Sequence, residues 1–184
     1  YNKAKDNFDR SKIPGGGKNP VVKVPAFWKK DQPNGIKIIG TESHEIPTVT
    51  MTVTIPGGHL LTAKDTSKIG LADFFAAMMN EDTRNFTAER MAVELQKLGS
   101  TINVSGSFNG TTFNVQSLKK NLDKTLALLE ERIFYPKFTE ASFSRLQKQI
   151  IEGFKQSKSQ PSFIATQNFD RIIYNAGNFL TLSK

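Results

Sequence analysis

The stretch "TVTMTVTI" (48–55) constrains this chain more than any other. Val49, Met51, Val53 and Ile55 alternate with threonines, so a strand here has one apolar face and one polar face. Such a strand is half-buried, and another layer must cover its apolar side.

The flanking segments supply the other elements. "VVKVPAFWKK" and "NGIKIIGTES" are two short strands meeting at Asn34-Gly35, a hairpin signal because both residues tolerate positive φ. "PGG" (56–58) ends the threonine strand. A helix is expected from near Asp65 or Thr66 through "KIGLADFFAAMMNEDT" (68–83), with Leu71, Phe74, Phe75, Met78 and Met79 on its apolar side. A second helix runs from an N-cap at Thr87 to Leu98, with Met91, Leu95 and Leu98 on one face and Gly99 beyond it. "STINVSGSF" and "TTFNVQSL" form a hairpin around Asn109-Gly110. Leu118, Leu122, Leu126, Leu129 and Ile133 mark a third helix, which Pro136 stops. Thr139 caps a fourth with the stripe Phe143, Leu146, Ile150, Ile151 and Phe154. Pro161 opens a fifth with Phe163, Ile164, Phe169, Ile172 and Ile173.

The order β-β-β-α-α-β-β-α-α-α is rich in hairpins and poor in βαβ crossovers. It predicts an α+β two-layer sandwich, a largely antiparallel sheet covered on one face by helices. The sheet's other face, rich in threonine and asparagine, is wet or lines an interface. Residues 1–20, including "PGGGKNP" at 14–20, show no apolar period and read as a linker or connector arm. The domain itself is expected over 21–184.

A chain of 184 residues can bury a real core. With no cysteine, disulfides, thiolate metal sites and cysteine nucleophiles are excluded together. The net charge of +8 raises the question of nucleic acid, but the 25 basic residues are dispersed and mixed with acids. The phenylalanines fall on core periodicities rather than among basic clusters, so no nucleic-acid partner is expected. No apolar run approaches the roughly 20 residues of a membrane span. The chain opens at Tyr1 without a signal or transit segment and is expected to be a piece of something longer.

Chemistry-bearing residues are sparse. "GGGK" is not a phosphate loop, because Lys12 stands where a further Gly is needed and Asn19 where Ser or Thr is needed. His44 and His59 fall in connections without His or Glu partners at helical spacing, so surface placement is expected over metal ligation. Glu81, Asp82, Glu130, Glu131 and Glu152 suit helix ends and solvated faces. Asp73 alone interrupts an apolar helix, and is expected to face solvent or the helix dipole with no second ligand or base at hand. Ala76 and Ala77 follow it, small where larger core side chains could stand.

Several pieces then agree in order: "NGIKIIGTESHEIPTVTMTVTIPGG", "GLADFFAAMMNEDT", and "LGSTINVSGSFNGTTFNVQSLKKNLDKTLALLEERIFYPKF", with a late "SQP". From about Val21 to Tyr174 this succession resembles the insulinase-like (pitrilysin, M16) zinc peptidases and their homologous non-catalytic halves. The resemblance places the family's His-x-x-Glu-His motif on "DFFAA". In that motif two histidines bind zinc and the Glu activates water. Asp73 stands at the first histidine, Ala76 at the Glu and Ala77 at the second histidine. The third ligand, a later Glu, falls on Gly153, with Glu152 next door.

The resemblance therefore implies the first domain of a non-catalytic half, incomplete at its C-terminus. Such a domain has no catalytic, cofactor or metal residues of its own. It implies a catalytic half, fused or separate, that holds the zinc, and a peptide substrate enclosed between the two. A bacterial periplasmic or envelope setting goes with it. Two other readings stay open: a hydrolase using carboxylates such as Asp73 and Glu152, and a structural core-type subunit of a membrane complex.

Overall fold

The structure, a computed structural model, describes residues 11, 15–19, 21, 24–175 and 177–178. The expected arm over 1–20 thus falls largely outside the described residues. The chain divides into two compact units between Glu45 and Ile46.

In the first unit β1 (Phe27–Asp31) and β2 (Lys37–Thr41) form an antiparallel hairpin. Its loop closes when Gln32 N–H donates to the Ile36 carbonyl at 2.8 Å and Gly35 N–H to that of Gln32 at 2.9 Å. Of the Asn34-Gly35 pair, only Gly35 adopts positive φ. The Asn34 side chain instead accepts from Ile36 N–H at 3.2 Å. Across the hairpin Trp28 pairs with Gly40, and its ring occupies the space a side chain there would need.

The second unit holds β3 (Thr48–Pro56), α1 (Leu71–Met78), α2 (Ala88–Leu98), β4 (Thr101–Gly106), β5 (Gly110–Leu118), α3 (Leu122–Phe134), α4 (Glu140–Ser157) and α5 (Pro161–Tyr174). The expected element order is the observed one. The strands form an antiparallel sheet in the order β3-β5-β4. Register sorts its side chains cleanly. Met51 and Val53, Phe113 and Val115, and Ile102 and Val104 share the covered face. Ala76 from α1 with Met79 just past its end, Met91 and Leu95 from α2, and Leu128 and Leu129 from α3 close the core over them.

Helix ends follow local chemistry. The Thr87 hydroxyl accepts from Arg90 N–H and the Thr139 hydroxyl from Ser142 N–H, so α2 and α4 begin where a cap satisfies a free donor. Gly99 ends α2 in the left-handed conformation (φ 59°), which a side chain would disfavour. No helix among the described residues is long and apolar enough to cross a membrane.

Four helices differ from the sequence reading. α1 starts at Leu71 rather than near Asp65, because 3₁₀ turns at His59–Thr62 and Thr66–Lys68 take the preceding residues. Its buried side chains are Ala76 and Met78, followed by the buried Met79 just past its end, whereas Leu71 and Phe75 are 50% and 43% exposed. On α3 the buried face is Thr125, Leu128, Leu129 and Arg132, which leaves Leu126 outside. The stripes of α4 and α5 stay largely exposed rather than entering the core.

Candidate functional site

The feature that decides what this fold can do chemically is the α1 face that meets β4. The two elements touch closely at Gly106: a methyl placed on it would sit 2.8 Å from the Ala72 carbonyl oxygen and 2.8 Å from Asp73 Oδ1. Such separations forbid a side chain, so glycine here sets how near α1 lies to the sheet. The same closeness explains Ala76. It is 2% exposed, packed in the core cluster with Val104 and Phe113. A larger residue would have no volume to fill.

His59 is not on the surface. It is 6% exposed, pinned where its own N–H donates to the Ser107 carbonyl at 3.2 Å and Leu60 N–H donates to that of Phe108 at 3.1 Å. Its ring meets Phe108 edge-on at 5.8 Å, and Nε2 lies 3.1 Å from Asp73 Oδ2. The expectation that Asp73 has no base at hand is corrected with it, since His59 is that base. The reason sequence missed the pair is separation: His59 opens one 3₁₀ turn, a second follows, and thirteen residues lie between positions 59 and 73. His44 does stay exposed, 3.6 Å from Glu42.

The other positions that the resemblance sets against the motif are expected to hold no ligand. Ala77 is half-buried and offers a methyl group. Gly153 lies on exposed α4 with open space around it. Glu152 pairs with Lys155 at 2.8 Å, both exposed. It lies two residues from both Ile150 and Phe154 and so turns to the opposite side of α4. A zinc ion needs three or four lone-pair donors around one point. Two methyl groups, a glycine and one carboxylate already paired with histidine do not fit it. Among the described residues no cluster of three or more His, Asp or Glu side chains could hold a metal.

Two residues the sequence reading passed over close the outer edge of β4. Asn80, just past the C-terminal end of α1, accepts from Val104 N–H at 3.1 Å and donates to the Val104 and Ala76 carbonyls, each at 2.9 Å. The amide thereby copies a neighbouring strand. Arg132 adds donations to Asn80 Oδ1 at 2.9 Å and the Ile102 carbonyl at 3.0 Å. Burial pushes the Arg132 guanidinium below its ordinary pKa, partly countered by Glu81. Glu81 in turn pairs with Arg145 on α4. Nearby, Glu131 accepts from the backbone and side chain of Asn85 at 2.9 and 3.0 Å. Burial pushes its carboxyl up, but those two donors, Thr83 and the charge of Arg84 outweigh it and hold the pKa below the ordinary value.

Known proteins match this chain as follows. The family model described as insulinase (peptidase family M16) matches residues 37–181. A curated relative, the non-peptidase homolog YmxG of Helicobacter pylori, is 26% identical over 130 residues, covering 71% of this chain and 30% of its own length. The chain thus spans under a third of that relative. Among solved structures, a peptidase M16 inactive domain from Pseudomonas fluorescens superposes with a TM-score of 0.74 at 20% identity, over 85% of this chain and 38% of that one. A protease from Helicobacter pylori superposes at 0.66 and 19% identity, over 80% of this chain and 35% of the other.

Proposed function

Because the chain belongs to the insulinase family, peptidase family M16, we propose that it is a non-catalytic domain of that family, inactive alone, which walls part of a peptide-enclosing chamber. A catalytic half, on the same chain or a separate one, would supply the zinc.

One observation carries the reading. Where the family's zinc ligands and base would stand, the chain has Asp73 tied to His59, Ala76 in the core, Ala77, and Gly153 on open helix. The uncovered sheet face supports the chamber role. It presents Thr50, Thr52 and Thr54 on β3, Thr112, Asn114 and Gln116 on β5, and Thr101, Asn103 and Ser105 on β4. That surface is rich in hydrogen-bonding groups and free of charge, suited to peptides of varied sequence.

The test is elemental analysis of the dialysed chain with a generic peptide-cleavage assay, run alone and with a subunit carrying His-x-x-Glu-His from the same source. The chain alone should be zinc-free and inactive, and should co-elute with the zinc-bearing subunit. Stoichiometric zinc in the chain, with cleavage that a chelator abolishes, would overturn the reading.

A further inference from the structure

Beside the emptied motif runs an open groove of about 890 Å³ between the start of α1 and the length of α4. Its α1 side is Ile69, Leu71 and Phe74, and its α4 side is Phe143, Ile150, Ile151 and Phe154. The rings of Phe74 and Phe143 meet edge-on at 4.9 Å and join the two walls. Three lysines, Lys68, Lys155 and Lys158, line it as well, the first from the α1 side, the second from the last turn of α4 and the third just past its end.

We propose that this groove docks an amphipathic helix of a partner protein, an apolar stripe flanked by carboxylates. Shape argues for a helix. The α4 wall from Phe143 to the helix end at Ser157 is fifteen residues long, about 22 Å, which matches about four turns of a second helix laid alongside. Openness argues against a small apolar ligand: Leu71, Phe143, Ile150 and Ile151 remain 50%, 40%, 41% and 47% exposed, whereas small-molecule sites enclose most of their ligand.

Charge selects the acidic partner. Asp73, the acid lining the groove, already faces His59 at 3.1 Å. Lys68 and Lys155 lean on Asp65 and Glu152 of their own segments, at 3.0 and 2.8 Å. Those are exposed i,i+3 pairs, weak enough to yield to a better-placed carboxylate. Lys158 lies 6.0 Å over the Phe154 ring, its ammonium at the groove's edge. Groove occupancy and pairing with a catalytic half are separate properties, so zinc in the chain would leave this proposal standing.

Three fluorescein-labelled probes test it by anisotropy with the full chain: an 18-residue helix with leucines at i, i+3, i+4 and i+7 flanked by glutamates, the same stripe flanked by lysines, and labelled oleate. The glutamate helix should bind, and the lysine helix should bind about tenfold more weakly. Lys68→Glu, Lys155→Glu and Lys158→Glu together should reverse that preference. These substitutions lie on exposed positions and leave the fold intact, which circular dichroism checks. Equal binding of both helices, binding of oleate alone, no binding at all, or self-association of the chain that Ile150→Asp abolishes would each overturn the proposal.

Discussion

Asn80→Ala should be among the most damaging polar substitutions in this chain. The side chain makes four hydrogen bonds: to Val104 in both directions, to the Ala76 carbonyl and from Arg132. Three neutral bonds at about 1 kcal/mol and one charged bond at about 1.5–3 kcal/mol sum to roughly 4.5–6 kcal/mol. Asn80 is only half-buried, so water replaces part of the loss, and about 3–4 kcal/mol is expected. Against a typical stability of about 5–15 kcal/mol that is a large fraction. With a urea slope near 2 kcal/mol/M, the midpoint should fall by about 1.5–2 M. Arg132→Met should cost less than half as much. It frees the Ile102 carbonyl, but it also removes a buried cation whose Nε has no partner. Hydrogen exchange provides the local readout. Val104 N–H, protected at a sheet edge only by the Asn80 side chain, should exchange rapidly in Asn80→Ala. The bared edge should also promote association, visible by gel filtration. If Val104 stays protected, or if Arg132→Met proves the worse variant, the strand-mimic account is wrong.

Three further outcomes follow from the same geometry. Ala76→Glu places a carboxyl in the core. Its folded pKa should rise above the unfolded value of about 4.3, so the destabilisation should grow by about 1.4 kcal/mol per pH unit above that value and reach about 3.7 kcal/mol by pH 7. Urea unfolding of this variant and of Ala76→Gln from pH 4 to 7 checks this, and a pH-independent difference would mean that the introduced carboxyl finds a cation such as Arg132. Gly106→Ala forces α1 away from β4. The overpacking should cost about 1–3 kcal/mol, lowering Tm by about 2–12 °C in a scan. Glu131 has a depressed folded pKa, so its contribution is full above about pH 4.3 and is lost as pH falls through its folded value. The urea-midpoint gap between wild type and Glu131→Gln should therefore be wide at pH 6 and narrow by pH 3.

Short-range chemistry was legible from sequence, and long-range convergence was not. The caps at Thr87, Thr139 and Gly99 and the period-two strand act within four residues, and each appears where expected. The leucine count along α3 failed at Leu126 because apolar identity alone does not say which face meets the sheet. There the inward positions include Thr125 and Arg132, polar residues that find partners inside. Asn80, Arg132 and His59 gave no sequence signal, since their partners lie 24, 30 and 14 residues away in sequence.

On the proposed alignment of Asp73, Ala76 and Ala77 with the family motif, these contacts also say how the α1 face is built. A face without its two histidines can be a hollow that takes the ligands back. Here, on the proposed alignment, the positions of the first histidine and the base have been taken into other structure, whereas Ala77 is half-buried and Gly153 stands on open helix. Asp73 holds His59 and, through it, the β4–β5 turn; Ala76 is core against Val104 and Phe113; and Gly106 draws α1 so near β4 that neither can change alone. Restoring a histidine at 73 breaks the His59 pair, and restoring the glutamate at 76 buries a charge that the surroundings do not pair. On that alignment, returning the donors at positions 73 and 76 should each cost stability, whereas a glutamate at Gly153, on open helix, should not.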